Sequence, residues 1–158
     1  METPAIEISD YELERGKPVP SKNHGIVQAN LLMEIGVHYR KSFRLMSEIN
    51  VGISGRVLVP DIGIFPKMAA DMANDQIVVE ELPLTTIEIL SPTQALKELT
   101  DKARAYFQAG VKSSWIVLPD QQGGFVYSDP NEYNYFHGEE MLRDPATGIE
   151  LELAPLFE

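Results

Sequence analysis

The chain contains no cysteine. Disulfide scaffolds, thiolate metal centres and cysteine nucleophiles are therefore excluded, and a reducing compartment is compatible with the composition. Long apolar runs are missing as well: none approaches the roughly 20 residues that a membrane-spanning helix needs. Met1-Glu2-Thr3-Pro4-Ala5 lacks the basic head and apolar run of a secretory signal. A cytoplasmic protein that does not enter a membrane is expected. The three histidines, His24, His38 and His137, show no spacing that implies a triad, and no Gly-x-Ser-x-Gly surrounds Ser91. Repeats, low-complexity tracts and linkers are absent too, so residues 1–158 read as a single domain with a substantial core.

Positive charge is scarce, with 13 Lys and Arg against 24 Asp and Glu and a net charge of −11. That balance argues at first against nucleic acid, whose phosphates are held by Lys and Arg. The distribution weakens the objection. Residues 68–158 hold 16 acids and five bases, which accounts for the whole imbalance. Within 15–67 the bases Arg15, Lys17, Lys22, Arg40, Lys41, Arg44, Arg56 and Lys67 face only Glu34, Glu48 and Asp61. This local +5 is either a phosphate-facing patch or a merely uneven solvated surface.

Hydrophobic period and turn residues give the order of elements. Residues 1–20 are broken by Pro4, Gly16, Pro18 and Pro20, with Tyr11-Glu12-Leu13-Glu14 as a short turn or edge strand. Lys22 to Arg40 is helical, with Ile26, Val27, Leu31, Ile35 and Val37 on a broad face that also includes Glu34. Phe43 to Ile49 reads as a strand and Asn50 to Gly55 as a turn. Arg56–Val59 and Ile62–Phe65 are two apolar pieces joined at Pro60-Asp61, and Met68 to Met72 is a candidate helix. Ser113 to Leu118 is a further strand, and Gly123-Gly124 suits a hairpin turn into Phe125–Tyr127. Glu132–Phe136 and Gly148–Leu153 complete an antiparallel C-terminal stretch. A strand–helix–strand unit within such an order implies a mixed α/β layer, with Leu31, Ile35, Ile87, Ile89, Leu99, Tyr106, Trp115 and Val117 in the core.

The most informative stretch is Thr85 to Gln108. Thr85-Thr86-Ile87-Glu88-Ile89-Leu90 reads as a strand buried on both faces, yet it holds a carboxylate, Glu88. Pro92 stops it, Thr93 can cap the next helix, and Gly110 ends that helix. At 100° per residue Lys102 falls on the apolar line between Leu99 and Tyr106. A buried carboxylate and a lysine on an apolar stripe both need partners. If the strands carrying Asp61 and Glu88 are neighbours, the two acids meet at one end of the sheet. A cation must then join them, or one acid has its pKa raised. Mg²⁺ suits such oxygen ligands and takes only one or two protein carboxylates, with the Ile89 carbonyl as a further oxygen. Lys102 would orient the attacking water or stabilise charge on a phosphate. Plainer readings stand beside this one: Pro-Asp as a turn, Lys102 snorkelling to the surface, and a Glu88–Lys102 ion pair without metal.

The segments Val59-Pro60-Asp61-Ile62-Gly63-Ile64, Ile87-Glu88-Ile89-Leu90-Ser91-Pro92-Thr93, Lys102-x-x-x-Tyr106 and Gly110-Val111-x-x-x-Trp115-Ile116-Val117 together resemble the Uma-two family. This is a bacterial group of restriction-endonuclease-like proteins in the PD-(D/E)xK nuclease superfamily. Tyr11-Glu12-Leu13 with Gly16, His24 with Asn30-Leu31, and Thr147-Gly148-Ile149 with Leu156-Phe157 extend the likeness to most of the chain. The resemblance implies a mixed central sheet with flanking helices, here with extra C-terminal antiparallel strands, and a divalent metal at one sheet edge. By match, Asp61 and Glu88 are the metal-binding acids. The superfamily's lysine two residues after the second acid is absent, since Leu90 stands there; Lys102 on the next helix takes its part. Glu34 is the candidate for the first-helix glutamate, and Glu12 occupies a recurrent position without an assignable role.

The expected function is therefore a Mg²⁺-dependent endonuclease acting on DNA, with Mn²⁺ a possible substitute. Its catalytic residues would be Asp61, Glu88, Lys102 and Glu34, and its metal ligands Asp61, Glu88 and the Ile89 carbonyl. The alternative is a catalytically inactive nuclease-fold module that binds a protein or nucleic-acid partner, which the acidic second half favours. Tyr127, Tyr133, Tyr135 and Phe136 on the C-terminal strands suggest a homodimer interface.

Overall fold

The computed structural model describes residues 17–158. The Tyr11–Glu14 element and Glu12 lie outside them. Helix α1 (Lys22–Tyr39) starts where the Ser21 side chain accepts the His24 N–H, and it buries His24, Val27, Leu31 and Ile35 along one face. Helix α2 (Leu96–Ala109) buries Leu99, Ala103 and Tyr106. It ends at Gly110, whose φ of 108° lets its N–H turn back to the last turn of the helix. A non-glycine residue would be strained there.

Six strands form the main sheet: β1 (Phe43–Ser47), β4 (Ile62–Pro66), β6 (Thr85–Ile89), β7 (Ser113–Leu118), β8 (Gly123–Asp129) and β9 (Glu132–His137). Their spatial order is β1-β4-β6-β7-β8-β9. Only β6 and β7, joined through α2, run parallel; the other neighbours are antiparallel. Both β6 and β7 are buried along their whole length, as strands covered on two faces must be. Strand alternation turns Ile87 and Ile89 towards α1, where they meet Val27, Leu31, Ile35, Trp115 and Val117. Thr86 and Glu88 consequently face the α2 side. There Leu99 packs on Ile116, Leu118 and Tyr127.

Two smaller sheets complete the described residues. β2 (Asn50–Ile53), β3 (Arg56–Leu58) and β5 (Val78–Val79) carry Val51 and Ile53 onto Tyr106 and Val111. The hairpin of β10 (Met141–Arg143) and β11 (Glu150–Glu152), with the 3₁₀ turn Ala154–Phe157, adds Leu142, Leu151 and Leu156 to the α1 side. Asn30 of α1 clamps that turn by donating to the Leu156 and Glu158 carbonyls, 3.0 Å each. The expected mixed sheet with flanking helices and extra C-terminal antiparallel strands is the one observed. All eight expected core residues are buried. Among the described residues no helix is long and apolar enough to cross a membrane.

Four local expectations are corrected. α2 begins at Leu96 rather than Thr93, because Ser91 to Gln94 closes its own turn around Pro92 and Ala95 becomes an N-cap without a side-chain bond. Asn50–Ile53 is a strand; only Ser54 and Gly55, with φ of 48° and 81°, form the turn. Met68–Met72 is not a helix, and the Arg44 guanidinium instead ties the Met68 carbonyl at 2.8 and 3.3 Å. Gly123 and Gly124 lie inside β8, after a turn closed by Gln122 N–H to the Pro119 carbonyl. Glycine at 123 answers a different need: a Cβ there would meet the Tyr135 hydroxyl and lie 2.9 Å from the Phe136 carbonyl on β9.

Candidate active site

Strands β4 and β6 are neighbours, with Ile62 opposite Ile87. One step further along each strand brings Asp61 and Glu88 to the same end of the sheet. Glu88 points towards α2, where helical spacing delivers two donors one turn apart. Lys102 Nζ lies 2.7 Å from Glu88 Oε1, and the Tyr106 hydroxyl donates to the same oxygen at 3.1 Å. Lys102 also donates to the Val59 carbonyl at 3.2 Å. Its side chain is 20% exposed, so the ammonium turns inward and does not snorkel away.

Asp61 is held by other elements. Its Oδ1 lies 2.5 Å from Lys17 Nζ, while Oδ2 accepts from His24 Nε2 at 3.1 Å and from the Ile89 N–H at 2.7 Å. Gln28, one helical turn beyond His24, donates to the Asp61 carbonyl at 3.3 Å. Lys17 reaches Glu48 Oε1 at 3.2 Å and the Val59 carbonyl at 3.4 Å. The site is thus a compact group of acids and ammoniums around one strand end. His24 Nδ1 is buried and has no hydrogen-bond partner among the described residues.

The two carboxylates are driven apart electrostatically. Burial opposes the charge on Asp61, but the His24 hydrogen bond and the Lys17 ammonium outweigh it and bring its pKa from 3.8 to about 2. Burial pushes Glu88 up instead; Lys102 opposes the shift and the Asp61 charge adds to it. For Lys17, burial disfavours the ammonium, yet the Asp61 and Glu88 charges raise its pKa overall. Burial and then Glu88 lift Tyr106 well above the ordinary phenol range, which keeps its proton in place as a donor.

Two carboxylates at adjacent strand positions suit a hard cation. In an extended strand the N–H and C=O of one residue point to the same edge, so the Ile89 carbonyl shares the Asp61 side with its N–H. Among the described residues no group of three or more His, Cys, Asp or Glu is gathered as a cage. A cation here would rest on two carboxylates, a carbonyl and water, which is the usual habit of Mg²⁺. The residues fit that ion on one condition, that Oδ1 of Asp61 be released by Lys17.

Asp61, Glu88, Ile89 and Lys102 are therefore brought together, whereas Glu34 is not. It stands ten residues beyond His24 on α1, roughly 15 Å along the helix, and its carboxylate is 3.9 Å from His38 beside a hollow also lined by Tyr39 and Met141. Its place at the rim of the apolar arc is a solvated edge position. The basic stretch is also divided, with Arg15 outside the described residues. Arg40, Lys41, Arg44 and Lys67 gather at the Phe43–Pro66 end of the β1–β4 pair, away from Asp61, and Lys67 and Arg44 hold backbone carbonyls there. Lys17 and Arg56 remain near the site; the Arg56 charge is felt at Tyr106.

The sequence pattern places Lys17 in a basic patch and His24 in the family likeness, but neither of them, nor Gln28, at the acid site. His24 falls on the buried line of α1 with Val27 and Leu31, and an imidazole on such a stripe is a usable signal. Lys17, between Gly16 and Pro18, carries none.

The fold and the site together define a mixed α/β protein of the nuclease type, with paired acids and a helix-borne lysine at one end of its sheet. The chain belongs to the Uma2 family, described as "Putative restriction endonuclease", whose model matches residues 1–155. Among solved structures, it is similar to the crystal structure of a putative nuclease belonging to DUF820 from Anabaena variabilis ATCC 29413. The two share 25% identity with a TM-score of 0.77, over 89% of this chain and 83% of that one. No curated protein matches the chain.

Proposed function

We propose that this protein is a metal-dependent endonuclease that hydrolyses DNA phosphodiester bonds. The observation that carries the reading is the convergence of Lys102 on Glu88 at 2.7 Å at the strand end that also holds Asp61. Asp61, Glu88 and the Ile89 carbonyl would hold Mg²⁺, with Mn²⁺ an acceptable substitute. When bound, the ion supplies Lewis-acid polarisation of a phosphate oxygen and a more acidic water. Lys102, 20% exposed, is placed to orient the attacking water or to meet charge developing on the phosphate. Tyr106 fixes the Glu88 carboxylate that the lysine leans on. Asp61 stays ionised at any physiological pH, so one ligand is always ready as an anion.

Arg56, whose charge is felt at Tyr106, supplies positive charge near the site for a DNA backbone. A homodimer through the edge strand β9, where Tyr133 and Tyr135 are exposed, would place two sites for two strands; a sedimentation measurement tests it. The lack of cysteine suits a cytoplasmic setting. The test of the activity is cleavage of supercoiled plasmid with Mg²⁺ or Mn²⁺ by the wild type and by Asp61→Ala, Glu88→Ala and Lys102→Ala. Loss in all three is expected; full activity in all three would refute the assignment. The alternative, an inactive nuclease-fold module binding a protein or nucleic-acid partner, draws support from the three contacts that the chain itself makes to the Asp61 oxygens.

A further inference from the structure

Lys17 is the least expected member of the site. Its ammonium is buried, 8% exposed, and it makes the shortest contact there, 2.5 Å to Asp61 Oδ1. The other Asp61 oxygen already accepts two hydrogen bonds. A divalent cation on Asp61 is left with the remaining lone pair of Oδ1, beside the Lys17 ammonium. It would also stand within a few ångströms of a fixed ammonium, and like charges at that separation repel strongly at the effective dielectric of a protein. Metal and Lys17 therefore exclude each other at Oδ1.

The structure also provides the place to which Lys17 can withdraw. Glu48 Oε1 is already 3.2 Å from Nζ and its side chain is 28% exposed, so the ammonium can move outwards without losing a carboxylate partner. The flexible four-carbon stem of lysine permits such a movement with little backbone change.

We infer that Lys17 is the resident counter-ion of Asp61, and that a divalent cation enters the site by exchange, the ammonium leaving Oδ1 for Glu48. The inference rests on the metal-site reading given above. It gives that site two alternative cations: the ammonium holds the acids together when metal is absent, and metal loading becomes a rearrangement of the Lys17 side chain.

Two measurements test it. In calorimetric titration with Mn²⁺, Lys17→Met, which keeps the apolar stem but not the charge, should bind at least about tenfold more tightly than the wild type. Equal or weaker binding by a folded Lys17→Met overturns the exchange. The second measurement needs no variant: in a crystal structure of the wild type soaked in Mn²⁺, Lys17 Nζ should lie beyond hydrogen-bond reach of Asp61 and on Glu48. Manganese on Asp61 with the Lys17 contact intact would overturn the exchange and leave the metal site standing. If no manganese lies at Asp61 and Glu88 and neither protein gives a binding heat, the exchange and the metal-site reading fail together.

Discussion

Lys102 on α2 and Glu88 on β6 form a 2.7 Å ion pair across the interface between helix and sheet, and the Tyr106 hydroxyl completes it one turn along the helix. The lysine's position on the apolar stripe of α2 is thereby explained: the stripe faces a strand that carries one buried acid. Replacing Lys102 by Met keeps the stem packed and removes only the ammonium. Plasmid cleavage is expected to fall by about 10²–10³-fold, with Mn²⁺ still binding by calorimetry. Retained cleavage would reduce Lys102 to a structural partner.

Glu88→Gln separates stability from activity. The folded-state pKa of Glu88 lies above its unfolded value, so the group favours folding when protonated, and this contribution is lost as pH rises through the raised pKa. The amide keeps an oxygen for Lys102 and Tyr106 without a buried charge. At pH 8 the variant should melt higher than the wild type, by about 2–4 °C for each ~1 kcal/mol gained. The advantage should shrink towards pH 4.5 while cleavage is abolished at every pH. A lower Tm at pH 8 contradicts the argument.

Asp61 has the opposite sign. Its folded pKa of about 2 lies below the unfolded 3.8, so its stabilisation is complete above roughly pH 4 and is lost as pH falls towards 2. The depression corresponds to a contribution on the order of 2 kcal/mol at neutral pH. Asp61→Asn should lower urea stability by at least about that amount at pH 7, since Lys17 also loses a partner. The difference from the wild type should narrow between pH 4 and pH 2. A constant difference over that range would mean that Asp61 is not the group whose protonation weakens the fold.

The sequence made the sheet and the acid–lysine constellation legible for definite reasons. A carboxylate in a run of buried β-branched residues and a lysine in register with Leu99 and Tyr106 violate the apolar pattern, and such violations need partners. Glu34 and the glycine pair misled for the converse reason. An acid at the rim of an amphipathic arc satisfies both an inward and a solvated reading, and the pattern does not show that the site lies at the His24 end of α1. Gly123-Gly124 looks like a turn by local chemistry, but the requirement at Gly123 comes from the close approach of β9. Lys17 and Gln28 meet Asp61 from 44 and 33 residues away. No local periodicity encodes contacts of that kind.

At the far end of the sheet, away from Asp61, a second buried acid tests how well the fold and the site can be separated. Asp144 follows β10 and accepts from the Ser113 hydroxyl at 2.6 Å, the Trp115 indole N–H at 2.8 Å and the Ala146 N–H at 2.8 Å. Ser113 in turn pairs with the Thr85 hydroxyl at 2.6 Å, so the network ties the β10–β11 hairpin to the starts of β6 and β7. All these partners are neutral, which marks Asp144 as an anchor held by dipoles. Asp144→Ala would leave a buried indole N–H and a buried hydroxyl without that acceptor, at about 1–3 kcal/mol for each group left unpaired. Trp115 is the only tryptophan, so its fluorescence reports the unfolding transition directly. The variant should unfold at lower urea concentration, yet at temperatures where it stays folded its Mn²⁺ affinity and cleavage rate should match the wild type. A site at the β4–β6 end that changed with Asp144 would mean that the two ends of the sheet are coupled through β6.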